Sequence, residues 1–138
     1  MKRILGTQPF NTDLGILLLR LILGGLFTWH GYDALNHYKL YLSMSTSTIG
    51  LGAPLEFNLV VFSHFLCGLF VAVGFLTRLS VIPLFITMTV AFFIAHKGQP
   101  FMTKELPFVY MLSCIPVFVL GSGRFSVDRL LFRKNNQI

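Results

Sequence analysis

The chain has 138 residues, of which 54% are hydrophobic and only 12% charged, whereas an average soluble domain has about 25% charged residues. Its mean hydropathy is +0.73. A soluble domain of this composition would lack the polar surface needed to cover itself, so we expect an integral membrane protein embedded in the lipid bilayer. The net charge of +6 then reports orientation in the membrane. Nucleic-acid binding is excluded, because the chain has no basic patch interleaved with aromatic residues.

Four runs of the chain are apolar and long enough to cross a bilayer core, which is about 30 Å thick and needs roughly 20 residues in a helix. They occupy residues 14–35, 57–77, 79–96 and 106–122. Only Thr77 and Arg78 mark the junction of the second and third runs, so these two helices should form an antiparallel hairpin. Gly121 and Gly123 should end the fourth run. The predicted fold is a single all-α domain over residues 1–138, an integral membrane four-helix bundle.

The segments around the four runs carry further signals. No small-x-small cleavage site follows the first run, so we expect it to remain in the mature protein. From Tyr38 onward, a high content of Ser, Thr, Gly and Pro predicts a loop that reaches the second run. Pro83 should lie in the first turn of the third helix. Residues 126–134 predict a short amphipathic helix at the membrane surface, with Ser126 as its N-cap.

The Lys and Arg residues outside the spans set the expected orientation. Seven of them lie on the side of the two termini and three on the opposite side. Because positive residues accumulate on the cytoplasmic side, both termini should be cytoplasmic. The seven are Lys2, Arg3, Arg78, Arg124, Arg129, Arg133 and Lys134, and the three are Lys39, Lys97 and Lys104.

Arg20 is a charged residue inside the cytoplasmic half of the first run. Gly24 and Gly31 share its helix face and leave room for a close neighbour, so this face should point into the bundle. Gly68 and Gly74 of the second run are further candidates for close helix packing. The partner of Arg20 could be Asp13, Asp128, a backbone carbonyl or an anionic ligand, and the alternative is that Arg20 snorkels to the interface. The residues assigned to helix packing are therefore Gly24, Gly31, Gly68 and Gly74.

A second group of polar residues lies in the outer half of the predicted bundle. If their side chains point inward, they would line a cavity suited to a quinone head group, a metal ion or a haem. Alternatively, the histidines bond to backbone carbonyls or water at the interface. His30 and His64 are the candidate metal ligands, although no two histidines have the i, i+3 or i, i+4 spacing of a metal motif. With Arg20, the candidate ligand-binding residues are His30, His64, His96, Glu105 and Tyr110.

Three motifs follow one another along the chain. They are Arg20 and Gly24 followed by His30-Gly31, the segment HFLCGLFVAVGFLTR ending at Arg78, and GSGRFSVD ending at Asp128. In this order and spacing they resemble the DoxX family of small four-helix integral membrane proteins. The resemblance implies a redox-associated role and contact with a quinone, because the family takes its name from a subunit associated with thiosulfate:quinone oxidoreductase.

The chain departs from that family pattern at two positions. Ala34 stands where a Lys is common, and His64 stands where a Glu is common. If those two residues normally form an ion pair, this protein has neutral groups in its place. His64 could then supply a titratable or ligating group that the usual Glu does not.

Three functions remain open. The first is a membrane subunit of an oxidoreductase, which binds a quinone or haem non-covalently and exchanges electrons with a redox partner protein, since the chain has no motif for a flavin, an attached haem or an iron–sulfur cluster. The second is a non-catalytic scaffold or assembly factor. The third is a small transporter acting as a homo-oligomer. It is the least favoured, because the first half of the first run has no embedded acidic residue. No catalytic residue can be assigned, and we expect the protein in the inner (plasma) membrane of a bacterium.

Overall fold

The computed structural model describes residues 11–132, and every regular element in this range is a helix. Four of the helices are long and apolar enough to cross a membrane. The predicted all-α membrane fold is thereby confirmed. The positions Lys2, Arg3, Arg133 and Lys134, which the orientation prediction uses, lie outside the described residues. The helices are α1 (Thr12–Asn36), α2 (Tyr38–Met44), α3 (Ala53–Val73), α4 (Thr77–Ala95), α5 (Phe101–Leu120) and α6 (Val127–Phe132).

The turn between α3 and α4 lies nearer the N-terminus than the sequence predicts. Gly74 has φ 78° and ends α3, and Leu76 has φ 45°, so both adopt left-handed backbone. Thr77 and Arg78 therefore lie in the first turn of α4 instead of forming the junction. Pro83 consequently lies in the interior of α4 and not in its first turn.

The segment that follows Tyr38 is not all loop, as the sequence predicts, because residues Tyr38–Met44 form the short helix α2. Its two tyrosines fix it to the neighbouring helices. The Tyr38 hydroxyl donates to Asn58 Oδ1 at 2.7 Å, and the Tyr41 hydroxyl donates to Asp33 Oδ2 at 2.8 Å. The bond to the Asp33 carboxylate raises the pKa of Tyr41 above its ordinary value. The Ser- and Thr-rich stretch that favours loop begins only at the end of this helix.

Helices α1 and α3 contact each other through their backbones. A Cβ atom built on Gly24 would lie 2.6 Å from the carbonyl oxygen of Gly68, and one on Gly31 would lie 2.6 Å from Phe65 Cα. A Cβ on Gly68 would in turn lie 2.8 Å from the amide nitrogen of Thr28. No larger residue fits at these three positions without separating the helices.

The bundle has two distinct ends. The terminal end is where α1 begins, α3 turns into α4 and α5 ends. Arg124 pairs there with Asp13 at 3.6 Å, and the amide of Asp128 donates to the Gly74 carbonyl at 2.9 Å. At the same end, Ser126 caps α6 by accepting from the amide of Arg129 at 3.3 Å. The loop end is opposite and comprises the α2 region and the turn between α4 and α5.

Candidate functional site

The deepest of the predicted site histidines lies in a wider, π-type turn. Residues Ser63–Cys67 interrupt the α-helical pattern of α3, and His64 is the second residue of this turn. Single π turns inside α-helices are frequent at functional sites, because the extra residue redirects the side chains around it. Here the Nε2 atom of His64 lies 3.4 Å from the hydroxyl oxygen of Thr87 on α4.

Four aromatic rings form a continuous row across the bundle at this level. Phe27 is fully buried, and its ring centroid lies 5.2 Å from that of His64 and 4.9 Å from that of Tyr110. Tyr110 then meets His30, with its hydroxyl 3.3 Å from His30 Nε2. The structure thus brings His30 and Tyr110 into direct contact, while the Phe27 ring lies between Tyr110 and His64.

The other two predicted residues lie apart from this row. His96 follows a second π-type turn, Ala91–Ala95, and its Nδ1–H donates to the carbonyl of Ala91 at 2.7 Å. This bond to a backbone carbonyl matches the alternative interpretation of an interfacial histidine. Glu105 is exposed near the start of α5. Its neighbour Lys104 lies over the ring of Phe92, with Nζ 5.6 Å from the ring centroid.

An open groove lies between α3 and α4 at the loop end, and Thr87 is one of its lining residues. We call it the lateral groove. Its volume is about 360 Å³. The walls are mainly apolar, and the segment from Ser45 to Ile49 covers its outer part. Residues that define the lateral groove include Thr46, Thr48, Glu56, Leu59, Val60, Ile86, Thr87, Val90 and Ala91.

Glu56 holds the covering segment of the lateral groove in place. Its carboxylate accepts from the amides of Thr48 at 2.5 Å and Leu51 at 3.0 Å. It also accepts from the Ile49 amide at 3.2 Å and the Ser47 hydroxyl at 2.8 Å. Four hydrogen bonds to one ionised carboxylate stabilise the backbone conformation of the segment that covers the groove.

Arg20 lies at the terminal end and belongs to a different cluster. The side chain is 1% exposed, so it is enclosed by protein and does not reach the interface. Its Nη2 donates to the backbone carbonyl of Phe125. Within residues 11–132, Nε and Nη1 of Arg20 are buried and have no acceptor. Gly74 packs against the guanidinium, and a side chain there would also meet Ser126, whose Cβ lies 2.6 Å from the position of a Cβ built on Gly74.

The carboxylate of Asp128, a predicted partner for Arg20, serves the start of α4. It accepts from the amide of Leu76 at 2.7 Å and from the amide of Thr77 at 3.2 Å. These amides are among those that a helix start leaves without an intrahelical acceptor. Of the partners considered for Arg20, the structure provides a backbone carbonyl.

The loop end offers hydrogen-bonding groups and no metal cluster. Among the described residues, no group of three or more His, Cys, Asp or Glu side chains could hold a metal ion. Cys67 and Cys114 are both buried free thiols. What the arrangement can provide is a hydroxyl backed by an imidazole, at the edge of an apolar groove. Such a pair suits a carbonyl or hydroxyl oxygen on a lipophilic molecule.

Thr87 is the site residue that the sequence analysis did not identify. It belongs to an uncharged apolar run, ITMTV, that also contains Thr89. An intramembrane hydroxyl is a weak signal, because threonine in a helix commonly bonds to a carbonyl one turn earlier. Both threonines do so, Thr87 with Leu84 at 2.9 Å and Thr89 with Phe85 at 2.7 Å. Only the fold shows that Thr87 also meets His64.

Comparison with protein-family models gives a match over most of the spans. A family model described as DoxX matches residues 15–97, which is more than half of the chain. The matched range contains Arg20, His30-Gly31 and Arg78, and it ends before the GSGRFSVD segment. Neither a curated protein nor a solved structure matches the chain.

Proposed function

The chain belongs to the DoxX family, and we propose that it is a redox-associated membrane subunit that binds a quinone, or a similar lipophilic molecule, in the lateral groove. The observation that carries this proposal is the contact of Thr87 with His64. It places the Thr87 hydroxyl at the edge of the lateral groove, with the His64 imidazole behind it.

The dimensions of the lateral groove support a small lipophilic ligand. Ligand sites in proteins usually have volumes of about 300–1,000 Å³ and few polar groups. The groove, at about 360 Å³, is near the lower limit. It therefore suits a single ring with substituents, while an isoprenoid tail would extend into the bilayer.

Thr87 and His64 would act as a pair on the ligand. The Thr87 hydroxyl can rotate from the Leu84 carbonyl toward a ligand oxygen and donate to it. In the tautomer that carries a proton on Nε2, His64 then donates to the Thr87 oxygen. This arrangement would orient the head group and connect it to an imidazole that can give or take a proton.

A bound quinone would supply the redox chemistry, taking up two electrons and two protons as it becomes a quinol. The sequence has no motif for a flavin, an attached haem or an iron–sulfur cluster. The electrons would therefore pass between the ligand and a redox partner protein. The role of this chain would be to hold the head group and exclude water from it.

We further propose that the protein lies in a bacterial inner membrane with both termini cytoplasmic. Support comes from the distribution of Lys and Arg, with seven residues on the side of the termini and three on the other.

The test is a matched pair of threonine substitutions. Thr87→Val keeps the side-chain shape and removes the hydroxyl, and we expect binding of a short-chain benzoquinone to weaken by about tenfold, as for a lost buried hydrogen bond. Thr89→Val removes a hydroxyl that bonds only to its own helix, and binding should not change. Equal binding by both variants would contradict the proposal and favour the scaffold function instead.

A further inference from the structure

The seam between α4 and α5 carries two hollows, one below the other, on the opposite half of the molecule from the lateral groove. The first lies at the terminal end and has a volume of about 470 Å³. Its lining combines charged, polar and apolar residues. Among them are Thr77, Arg78, Leu79, Gly121, Asp128 and Phe132.

The second hollow lies deeper in the membrane along the same two helices. It has a volume of about 260 Å³, and all its lining residues are apolar side chains or cysteine. Ile82 is four residues beyond Arg78, which is about 6 Å along the axis of α4. The residues that line it are Val81, Ile82, Phe85, Cys114, Ile115 and Phe118. A hollow with charged residues at the end of the spans thus lies along the same pair of helices as an apolar one at the depth of acyl chains.

Among residues 11–132, the positive charge that lines the first hollow is that of Arg78. The other charged group there, the Asp128 carboxylate, already accepts from the amides of Leu76 and Thr77. Arg78 extends across the end of α5, where its Nη2 donates to the carbonyl of Val119 at 3.4 Å. A Cβ built on Gly121 would lie 3.3 Å from Arg78 Nε, so the glycine leaves the space that the guanidinium uses. Within the described part of the chain, residues 11–132, the other N–H groups of Arg78 have no acceptor and can bind an anion.

We propose that the α4–α5 seam is a binding site for an anionic phospholipid, with its phosphate on Arg78 and one acyl chain in the apolar hollow. Charge complementarity and position select this occupant. The guanidinium binds phosphate by paired hydrogen bonds, and it lies at the boundary of the spans, where lipid phosphates are found. A water-soluble anion would use the first hollow alone and would leave the apolar one unexplained.

Retention of lipid, measured by native mass spectrometry, tests the proposal. The protein is first exchanged with vesicles of phosphatidylglycerol and phosphatidylcholine in equal amounts. We expect the wild-type protein to retain phosphatidylglycerol preferentially. Arg78→Gln should reduce this retention by about fivefold, the effect of one cationic contact at a membrane surface. Arg124→Gln is the matched control, because Arg124 is exposed at the same end and pairs with Asp13.

A second variant tests the acyl-chain hollow without touching the charge. Ile115 is 47% exposed on the wall of that hollow, so Ile115→Trp should fill it while leaving the core in place. We expect this variant to lose phosphatidylglycerol as Arg78→Gln does. Arg78→Lys keeps the positive charge and should retain part of the lipid even if Arg78→Gln folds poorly.

Three results would overturn the lipid site. Equal loss in Arg78→Gln and Arg124→Gln would indicate a general surface-charge effect. Unchanged retention in Ile115→Trp would mean that no acyl chain occupies the seam. Protection of the wild-type protein against thermal unfolding by inorganic phosphate, lost in Arg78→Gln while lipid retention is unchanged, would assign the arginine to a free anion.

Discussion

Arg20 and Phe125 are joined by a hydrogen bond between positions 105 residues apart in the chain. The donor is the guanidinium of a residue inside the first span, and the acceptor is a backbone carbonyl just beyond the fourth. This bond connects α1 to the segment that precedes α6. It satisfies one nitrogen of the enclosed guanidinium, while Nε and Nη1 have no acceptor among residues 11–132.

Replacing Arg20 should destabilise the bundle and leave the loop end intact. Arg20→Ala removes the bond to Phe125 and the side chain that packs against Gly74, and we expect a loss of about 2–4 kcal/mol in the free energy of unfolding. Thermal unfolding followed by circular dichroism in one detergent measures it. Arg124→Ala, which removes an exposed ion pair, should cost less than about 1 kcal/mol. Equal stability of the two variants would show that the buried position of Arg20 contributes nothing.

The close approach of α1 to α3 makes a sharp prediction for two adjacent glycines. Gly24→Ala would place a methyl group 2.6 Å from the Gly68 carbonyl oxygen, and we expect a destabilisation of about 1–3 kcal/mol from the forced separation of the helices.

Gly25→Ala is the control for this prediction, since nothing lies within 4 Å of a Cβ there. It should be neutral or stabilise the helix by up to about 1 kcal/mol, because alanine is the better helix former. Thermal unfolding of Gly24→Ala and Gly25→Ala under the same conditions compares their stabilities. A less stable Gly25→Ala would contradict the packing of α1 against α3.

The orientation of the bundle can be tested with single cysteines, because Cys67 and Cys114 are buried and should react slowly. Gln99→Cys places a thiol in the exposed turn at the loop end, and a membrane-impermeant maleimide should label it in intact cells. Arg124→Cys, at the terminal end, should react only after the membrane is opened. The opposite labelling pattern would place the termini outside.

The spans could be predicted because bilayer thickness alone sets the length of an apolar run. The turn between α3 and α4 could not be located, since it depends on the left-handed backbone of Gly74 and Leu76. At Gly74, that conformation is surrounded by Arg20 and Ser126, which come from distant parts of the chain. A local pattern of polar residues placed the turn at Thr77 and Arg78 instead.

The sequence could predict how deep the candidate site residues lie in the membrane, but not in which direction their side chains point. The position of His64 within its run predicts its depth in the membrane. Because the run is almost uniformly apolar, its pattern does not show which face of the helix points into the bundle. His64 contacts Thr87 from within a π turn, and no residue of the segment SHFLC predicts such a turn. The row through Phe27 was equally hidden, because an aromatic side chain between two polar ones has no sequence signal.

The cap that Asp128 gives to α4 has a consequence for biosynthesis. The acceptor for the amide of Thr77 is 51 residues further along the chain, so it is synthesised after the whole hairpin of α3 and α4. Until then the first turn of α4 keeps free amides, and Arg20 has no Phe125 carbonyl to bind. The membrane insertion machinery therefore handles a first helix whose buried charge has not yet met its acceptor. Assembly is complete only when the last short helix arrives.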